Sequence, residues 1–99
     1  MRWKNIICDA IAGRKALRMK YSDGIWRTIE PHTYGTNTAG NCALSAYRTK
    51  KDDHTDAPDW KLYLDGEIID IKVSTATFSA PRPGYNPIPK NFSKVICKL

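Results

Sequence analysis

Apolar residues near the amino terminus recur every three to four positions, which is the period of one helix face. The stripe consists of Trp3, Ile6, Ile7, Ala10 and Ile11. Gly13 follows the stripe and is a natural place for a helix to end. The pattern predicts a short amphipathic helix over residues 2–12 whose apolar face packs into the core.

After residue 15 the period changes to two, which is typical of half-buried strands. In the first predicted strand, Leu17, Met19 and Tyr21 alternate with Arg18 and Lys20. Asp23-Gly24 supplies the positive φ that a tight hairpin turn needs. The second strand of this hairpin starts at Ile25 and ends at Pro31, because proline lacks the N–H that a central ladder requires.

Three further strands are predicted over residues 42–48, 60–64 and 68–73, and residues 49–59 are polar enough to form a loop. The proline-rich segment from Pro81 to Pro89 is predicted to be an extended arm, because it cannot form regular ladders. Val95, Ile96, Cys97 and Leu99 are apolar and suit a last short strand.

One helix followed by about five short strands predicts a mainly β chain with a single domain over residues 1–99. Closure is the usual way for so short a β chain to avoid exposed edges, so we expect a small, partly open β-barrel. The barrel is predicted to span residues 15–78, with an extended tail over residues 79–99.

The composition is that of an ordinary globular domain, with 41% hydrophobic and 26% charged residues in a chain of 99. No apolar run approaches the ~20 residues that span a bilayer, and the amino terminus is too polar for a secretory signal. We therefore expect a cytoplasmic protein with no membrane association. Three widely spaced cysteines, Cys8, Cys42 and Cys97, favour small core residues in a reducing compartment over a zinc site or disulfide framework, with a reactive thiol as the alternative.

The net charge of +6 is unevenly distributed. Residues 1–51 hold ten Lys and Arg against three acidic residues, a net charge of +7, and residues 52–99 carry −1. A basic half predicts an anionic partner such as a nucleic acid, a nucleotide or an acidic protein surface. The alternative is surface charge that serves solubility alone.

No nucleotide-loop, dinucleotide, zinc-protease or serine-hydrolase motif is present, so a non-catalytic protein without cofactor or metal is predicted. The two histidines, His32 and His54, lie in different predicted loops. His54 has Asp52, Asp53 and Asp56 around it, but the cluster lacks the pattern of a calcium loop. A solvated loop is therefore the preferred interpretation.

The candidate binding residues are aromatic and basic side chains that alternate along the strands. They are Arg18, Lys20, Tyr21, Trp26, Arg27, Tyr34 and Arg48. Aromatic rings stack on bases and guanidinium groups bind phosphates, so this mixture suits nucleic acid. Tyr21 and Arg27 fit equally well into a closed small core. Arg27 shares a predicted face with isoleucines and therefore needs a partner, either Glu30 or an anionic ligand.

The order of several motifs resembles the WYL domain family over roughly residues 6–87. The matching segments are Ala10 to Tyr21, Arg27-Thr28-Ile29-Glu30-Pro31, Gly40 to Tyr47, Trp60 to Val73, and Phe78 with Pro81 to Pro87. Cys42 and Ala43 stand where the family has Trp and Tyr, and Gly66-Glu67 stands where an Asp-Arg pair is expected. Tyr21 and Arg27 match the family pattern.

The resemblance implies an Sm-like, SH3-type β-barrel and a ligand-sensing or nucleic-acid-linked role in bacterial or phage transcription regulation or phage defence. Our leading hypothesis is a regulatory module that binds a nucleotide or single-stranded nucleic acid, and a larger regulatory or defence protein is a further partner to consider. The alternatives are a protein-interaction module that docks a partner or forms a homodimer, and a small-molecule sensor near Tyr21, Arg27 and Tyr34.

Overall fold

A computed structural model describes residues 2–52, 58–87 and 89–99. The chain forms one helix, α1 (Lys4–Gly13), and six strands. The strands are β1 (Lys15–Tyr21), β2 (Trp26–Asn37), β3 (Cys42–Lys51), β4 (Asp59–Leu64), β5 (Ile68–Thr77) and β6 (Phe92–Lys98). All neighbouring strands are antiparallel, which confirms the mainly β prediction.

The helix lies where the apolar stripe predicted it, although it starts two residues later and ends one residue later. Its buried face consists of Ile7, Ala10 and Ile11. Arg14 ends the helix in the left-handed conformation, and its N–H donates to the carbonyl of Ile11. The chain then reverses directly into β1, which is the first strand of the predicted hairpin.

The long strand β2 organises the sheet, whose order is β4-β3-β2-β1-β5 with β6 also paired to β2. The first part of β2 pairs with β1, and its last five residues pair with β6. A Cβ on Gly35 would lie 2.0 Å from the carbonyl oxygen of Lys94, so only glycine allows β6 to approach this closely.

The predicted barrel closure is wrong, because the path ends at β4 on one side and at β5 on the other. Within the described ranges no backbone ladder joins these two end strands. A side chain bridges β1 and β4 instead: the hydroxyl of Tyr21 accepts the N–H of Leu64 at 3.0 Å. Local alternation identifies strands but not which edges meet, so it did not distinguish an open sheet from a barrel.

The predicted tail contains a complete strand of the sheet. β6 includes all but the last residue of the predicted segment from Val95 to Leu99 and starts three residues before it. Residues 79–87 lack helix and strand structure, as the prolines predicted. The polar loop is shorter than predicted at its start, because β3 extends to Lys51. Asp53, His54 and Asp56 of the acidic cluster lie outside the described residues.

The expectation of three reduced cysteines is wrong. Cys8 on α1 and Cys97 on β6 form a disulfide, with their Cα atoms 5.8 Å apart, and Cys42 is free. The two residues are separated by 89 positions, so their spacing carried no sign of the contact that helix packing creates. The disulfide gives no support to the reducing compartment that the sequence favoured for these cysteines.

The core lies between α1 and the inner face of the sheet. Its buried members include Ile7, Ile11, Leu17, Met19, Ile29, Tyr34, Leu44, Tyr63 and Ile71. Along β1 these positions alternate, so the intervening side chains form the opposite, outer face. In β2 the register shift between Pro31 and Thr33 interrupts the alternation between Ile29 and Tyr34. In the described part of the chain, no helix has the length and apolar character needed to cross a membrane.

Candidate nucleic-acid interface

The outer face of β1, β2 and β5 carries a cluster of basic side chains around one indole. Leu17 and Met19 point into the core, so Arg18 and Lys20 lie on the outer face. Lys20 is paired with Trp26 on β2, and Arg18 is paired with Lys72 on β5. Lys50 on β3 is paired with Thr28, the next outer residue of β2. We call Arg18, Lys20, Trp26, Lys50 and Lys72 the outer basic face.

Two of these cations lie over the indole of Trp26. The guanidinium carbon of Arg18 is 5.9 Å from the ring centroid, and the amino nitrogen of Lys72 is 5.2 Å from it. Both distances are within the range of cation–π attraction. The ring is only partly buried, so it holds two positive charges near an accessible aromatic surface. Such a group offers phosphate contacts and base stacking at one place.

Arg27 lies on the opposite, inner face and is only 5% exposed. One terminal nitrogen of its guanidinium donates to both carboxylate oxygens of Asp23 and to the carbonyl of Ile25. The guanidinium carbon is also 5.5 Å from the Tyr21 ring centroid and 5.8 Å from that of Tyr63. Arg27 was expected to pair with Glu30 or an anionic ligand. Its partner is instead Asp23, in the turn of the same hairpin.

The Arg27–Asp23 pair changes the titration of its surroundings. Partial burial would raise the pKa of Asp23, but the hydrogen bond and charge of Arg27 outweigh it and hold this pKa below its usual value. Burial raises the pKa of the Tyr63 phenol against the opposing charges of Arg27 and Arg48. The Nε of Arg27 and the hydroxyl of Tyr63 are buried without a hydrogen-bond partner among the described residues.

Tyr34 is a core residue, fully buried beneath α1. Its hydroxyl donates to Asp65 at 2.6 Å, and burial together with this carboxylate raises its pKa. Asp65 also accepts the backbone N–H groups of Arg2 and Trp3, so it joins the start of the helix to the sheet. Local sequence pattern could not indicate this role of Asp65, because its partners are 31 to 63 residues away along the chain.

Of the seven candidate residues, the structure brings Arg18, Lys20 and Trp26 together on the outer face. Tyr21 and Arg27 share the inner face, and Arg48 is paired with the inward-facing Ile29 near Tyr63. Tyr34 is enclosed in the core. The sequence analysis missed Lys72 and Lys50. Alternation in β5 predicted the face of Lys72, but the contact with Trp26 depends on strand order.

A second network fastens the segment of residues 79–87, which we call the strap. Arg82 binds Glu30 through two hydrogen bonds of 2.6 and 2.9 Å, and its guanidinium lies 4.9 Å from the Tyr47 ring centroid. The backbone N–H of Arg82 also donates to Nε2 of His32 at 3.2 Å. The proline-rich segment is thus bound to its own domain, on β2 and β3, rather than projecting from it.

No protein family, curated protein or solved structure matches this chain. The resemblance to the WYL family therefore stays a prediction from the sequence motifs.

Proposed function

We propose that this chain is a non-catalytic regulatory module that binds a nucleotide or single-stranded nucleic acid through the outer basic face. The observation that carries the proposal is the position of Arg18 and Lys72 over Trp26. Phosphate groups are drawn to the two cations, and an adjacent base has an indole on which to stack.

The charge distribution supports the same surface. The amino-terminal half contains nearly all of the outer basic face and carries the whole positive excess of the chain. Lys72 comes from the other half, and the pairing of β5 with β1 adds it to this surface. Asp70 is the acidic residue beside it, paired with Lys20, so the surface is strongly but not uniformly positive.

The inner face supports this function less well. Arg27 is neutralised by Asp23, and the hydroxyl of Tyr21 is used by the backbone of β4. A ligand there would have to displace contacts that hold the hairpin together. The WYL resemblance, with its implied role in bacterial or phage regulation, is compatible with nucleic-acid binding on either face. The two cations over Trp26 favour the outer one.

The test is a fluorescence-anisotropy titration of a labelled single-stranded oligonucleotide at several salt concentrations. Lys72→Ala removes one cation from Trp26, and Lys61→Ala is its matched control, because Lys61 is also exposed on an end strand but lies on β4. We expect Lys72→Ala to weaken oligonucleotide binding at low salt. The slope of log affinity against log salt concentration should become shallower by about one, because one phosphate contact is lost.

Lys61→Ala is expected to bind as the unmodified protein does. Equal losses for both variants would show that binding follows net charge and not the outer basic face. Absence of binding at low salt would refute the proposed function.

A further inference from the structure

The strand β5 is an end strand whose second edge has no partner strand in the part of the chain that the structure describes. Tyr21 N–H donates to the carbonyl of Ile25 across the hairpin, so Leu17, Met19 and Tyr21 direct their backbone groups at β2. The alternate residues Arg18 and Lys20 therefore bond to β5, at Lys72 and Asp70.

The remaining residues of β5 direct their backbone groups at the open edge. Ile71 lies between the bonded residues Asp70 and Lys72, so its N–H points away from β1. In agreement, this N–H donates to a carboxylate oxygen of Asp70 at 2.8 Å instead of to a strand. The Asp70 carboxylate therefore accepts the N–H that would otherwise donate to an additional strand.

The sequence at this edge is self-complementary about Ile71. Two apolar residues, Ile69 and Val73, lie two positions on either side of it, with Asp70 before it and Lys72 after it. Ile69 is 49% exposed and Val73 is 50% exposed, and they are two of the three large hydrophobic residues exposed in the described part of the chain. In an antiparallel pair of identical strands centred on residue 71, each acidic residue faces the basic residue of the other copy.

We propose that two copies of this chain associate through their β5 edges, with a two-fold axis through Ile71. Asp70 of one copy then faces Lys72 of the other, and Ile69 faces Val73. On dimerisation the Ile71 N–H stops donating to the Asp70 carboxylate of its own chain and donates instead to the Ile71 carbonyl of the second copy. The released carboxylate is left beside the opposing Lys72, so no buried polar group loses a partner.

The same arrangement covers apolar surface beside the helix. Val73 lines a cavity of about 320 Å³ together with Ile6 and Ala10 of α1. Ile69 of the second copy comes to lie beside Val73, at the mouth of this cavity. Because the two-fold axis is perpendicular to the continued sheet, both outer basic faces lie on the same side of the dimer. The proposal does not depend on nucleic-acid binding, since β5 edge residues carry it alone.

The length of the regular edge limits the strength of the dimer. The pairing of β5 with β1 shifts register on both sides of the segment from Asp70 to Val73. Such irregularities bend an edge and shorten the ladder that a second strand can form. We therefore expect a reversible dimer that is observed at high protein concentration rather than a permanent one.

The experiment is sedimentation velocity across a concentration series, using two charge-reversal variants. Asp70→Lys places lysines opposite each other, and Lys72→Asp places aspartates opposite each other, so each variant alone is expected to dimerise about tenfold more weakly. Mixing the two variants restores opposite charges at both positions, and a heterodimer of near-original strength is expected. Lys61→Asp on β4 is the matched control and leaves the dimer unchanged.

Restoration in the mixture cannot come from unfolded variants, and the thermal unfolding of each variant alone checks the fold directly. A chain that is monomeric up to about 1 mM would overturn the proposal. A dimer that is indifferent to both reversals, or variants that fail to restore each other, would equally overturn it, because the interface would then lie elsewhere.

Discussion

The guanidinium of Arg27 binds both carboxylate oxygens of Asp23, which stands in the turn of the same hairpin four residues earlier. Asp23 also accepts the N–H of Ile25, so one carboxylate orders the turn and neutralises a buried cation. The residue that most resembled a ligand contact in the sequence is therefore satisfied within its own hairpin. The outer basic face is therefore the surface through which we propose that an anionic partner binds.

Replacing Asp23 with alanine separates these two roles. The variant leaves Arg27 buried without its counter-charge, and we expect it to lower the free energy of unfolding by about 1–3 kcal/mol. Oligonucleotide affinity should stay the same, because the outer basic face is untouched. Urea unfolding and an anisotropy titration measure the two quantities. A clear gain in oligonucleotide affinity would show instead that Arg27 is the phosphate contact.

His32 gives the fold a dependence on pH. The ring is fully buried, its Nδ1 lies 2.8 Å from the Glu30 carbonyl, and its Nε2 accepts the N–H of Arg82, which is the pattern of a neutral imidazole. Phe78, Trp60 and Tyr85 enclose it. Burial lowers its pKa from the ordinary 6.5, with the Arg82 charge adding to this and Glu30 opposing it.

Because the pKa is lowered in the folded state, the unfolded chain binds the proton first as the pH falls below about 6.5. We expect the free energy of unfolding to decrease with falling pH in this range, by up to about 1.4 kcal/mol per pH unit. His32→Gln should flatten this dependence, and His54→Gln serves as the comparison. An unchanged slope in His32→Gln would contradict the assignment.

The strap depends on the contact between Arg82 and Glu30. Glu30 is buried and Arg82 is partly exposed, so removing the arginine strands a buried carboxylate. Arg82→Ala is expected to destabilise the fold by about 1–3 kcal/mol and to make residues 79–87 easier to cleave in limited proteolysis. Arg82→Lys keeps the charge but loses the bidentate geometry. Its stability and protease resistance should therefore lie between those of the unmodified protein and Arg82→Ala. Equal protease resistance in all three proteins would show that the strap is held by its aromatic contacts.

The disulfide fastens the helix to the last strand. Reduction of Cys8–Cys97, or the Cys8→Ser variant, opens a loop that covers most of the chain, and chain entropy predicts a loss of about 4–5 kcal/mol in stability. Urea unfolding with and without reductant measures it, with Cys42→Ser as a control that leaves the bond intact. Coincident curves with and without reductant would show that the bond contributes nothing to stability.

Short-range periodicity predicted the helix and the first hairpin, because adjacent residues alone decide which side chains face the core. The predicted end of the second strand at Pro31 was wrong, because β2 continues to Asn37 and pairs Pro31 with Ala46 of β3. The outer positions of Arg18 and Lys20 followed from the same alternation. Strand order did not, since β6 and β5 join the sheet through pairings that span most of the chain. For this reason the sequence did not predict the open sheet, the disulfide or the contact of Lys72 with Trp26, which are seen only in the structure.

The residues of the candidate site were predicted unevenly for the same reason. Alternation in β1 correctly separated Arg18 and Lys20 from the core. Arg48 lies on the inner face because it continues the alternation of Leu44 and Ala46, and the register shift between Arg48 and Lys50 turns only Lys50 outward. At Arg27 a polar turn residue provides the counter-charge that alternation does not reveal.

The most direct test of the proposed function is an NMR titration of the isotope-labelled protein with a short single-stranded oligonucleotide at low salt. The Trp26 indole N–H and the backbone amides of Arg18 and Lys72 are predicted to shift, and the shifts should diminish as salt is added. Amides around Tyr63 and Arg27 should stay in place. Shifts confined to that inner-face group, or no shifts at all, would contradict the proposal.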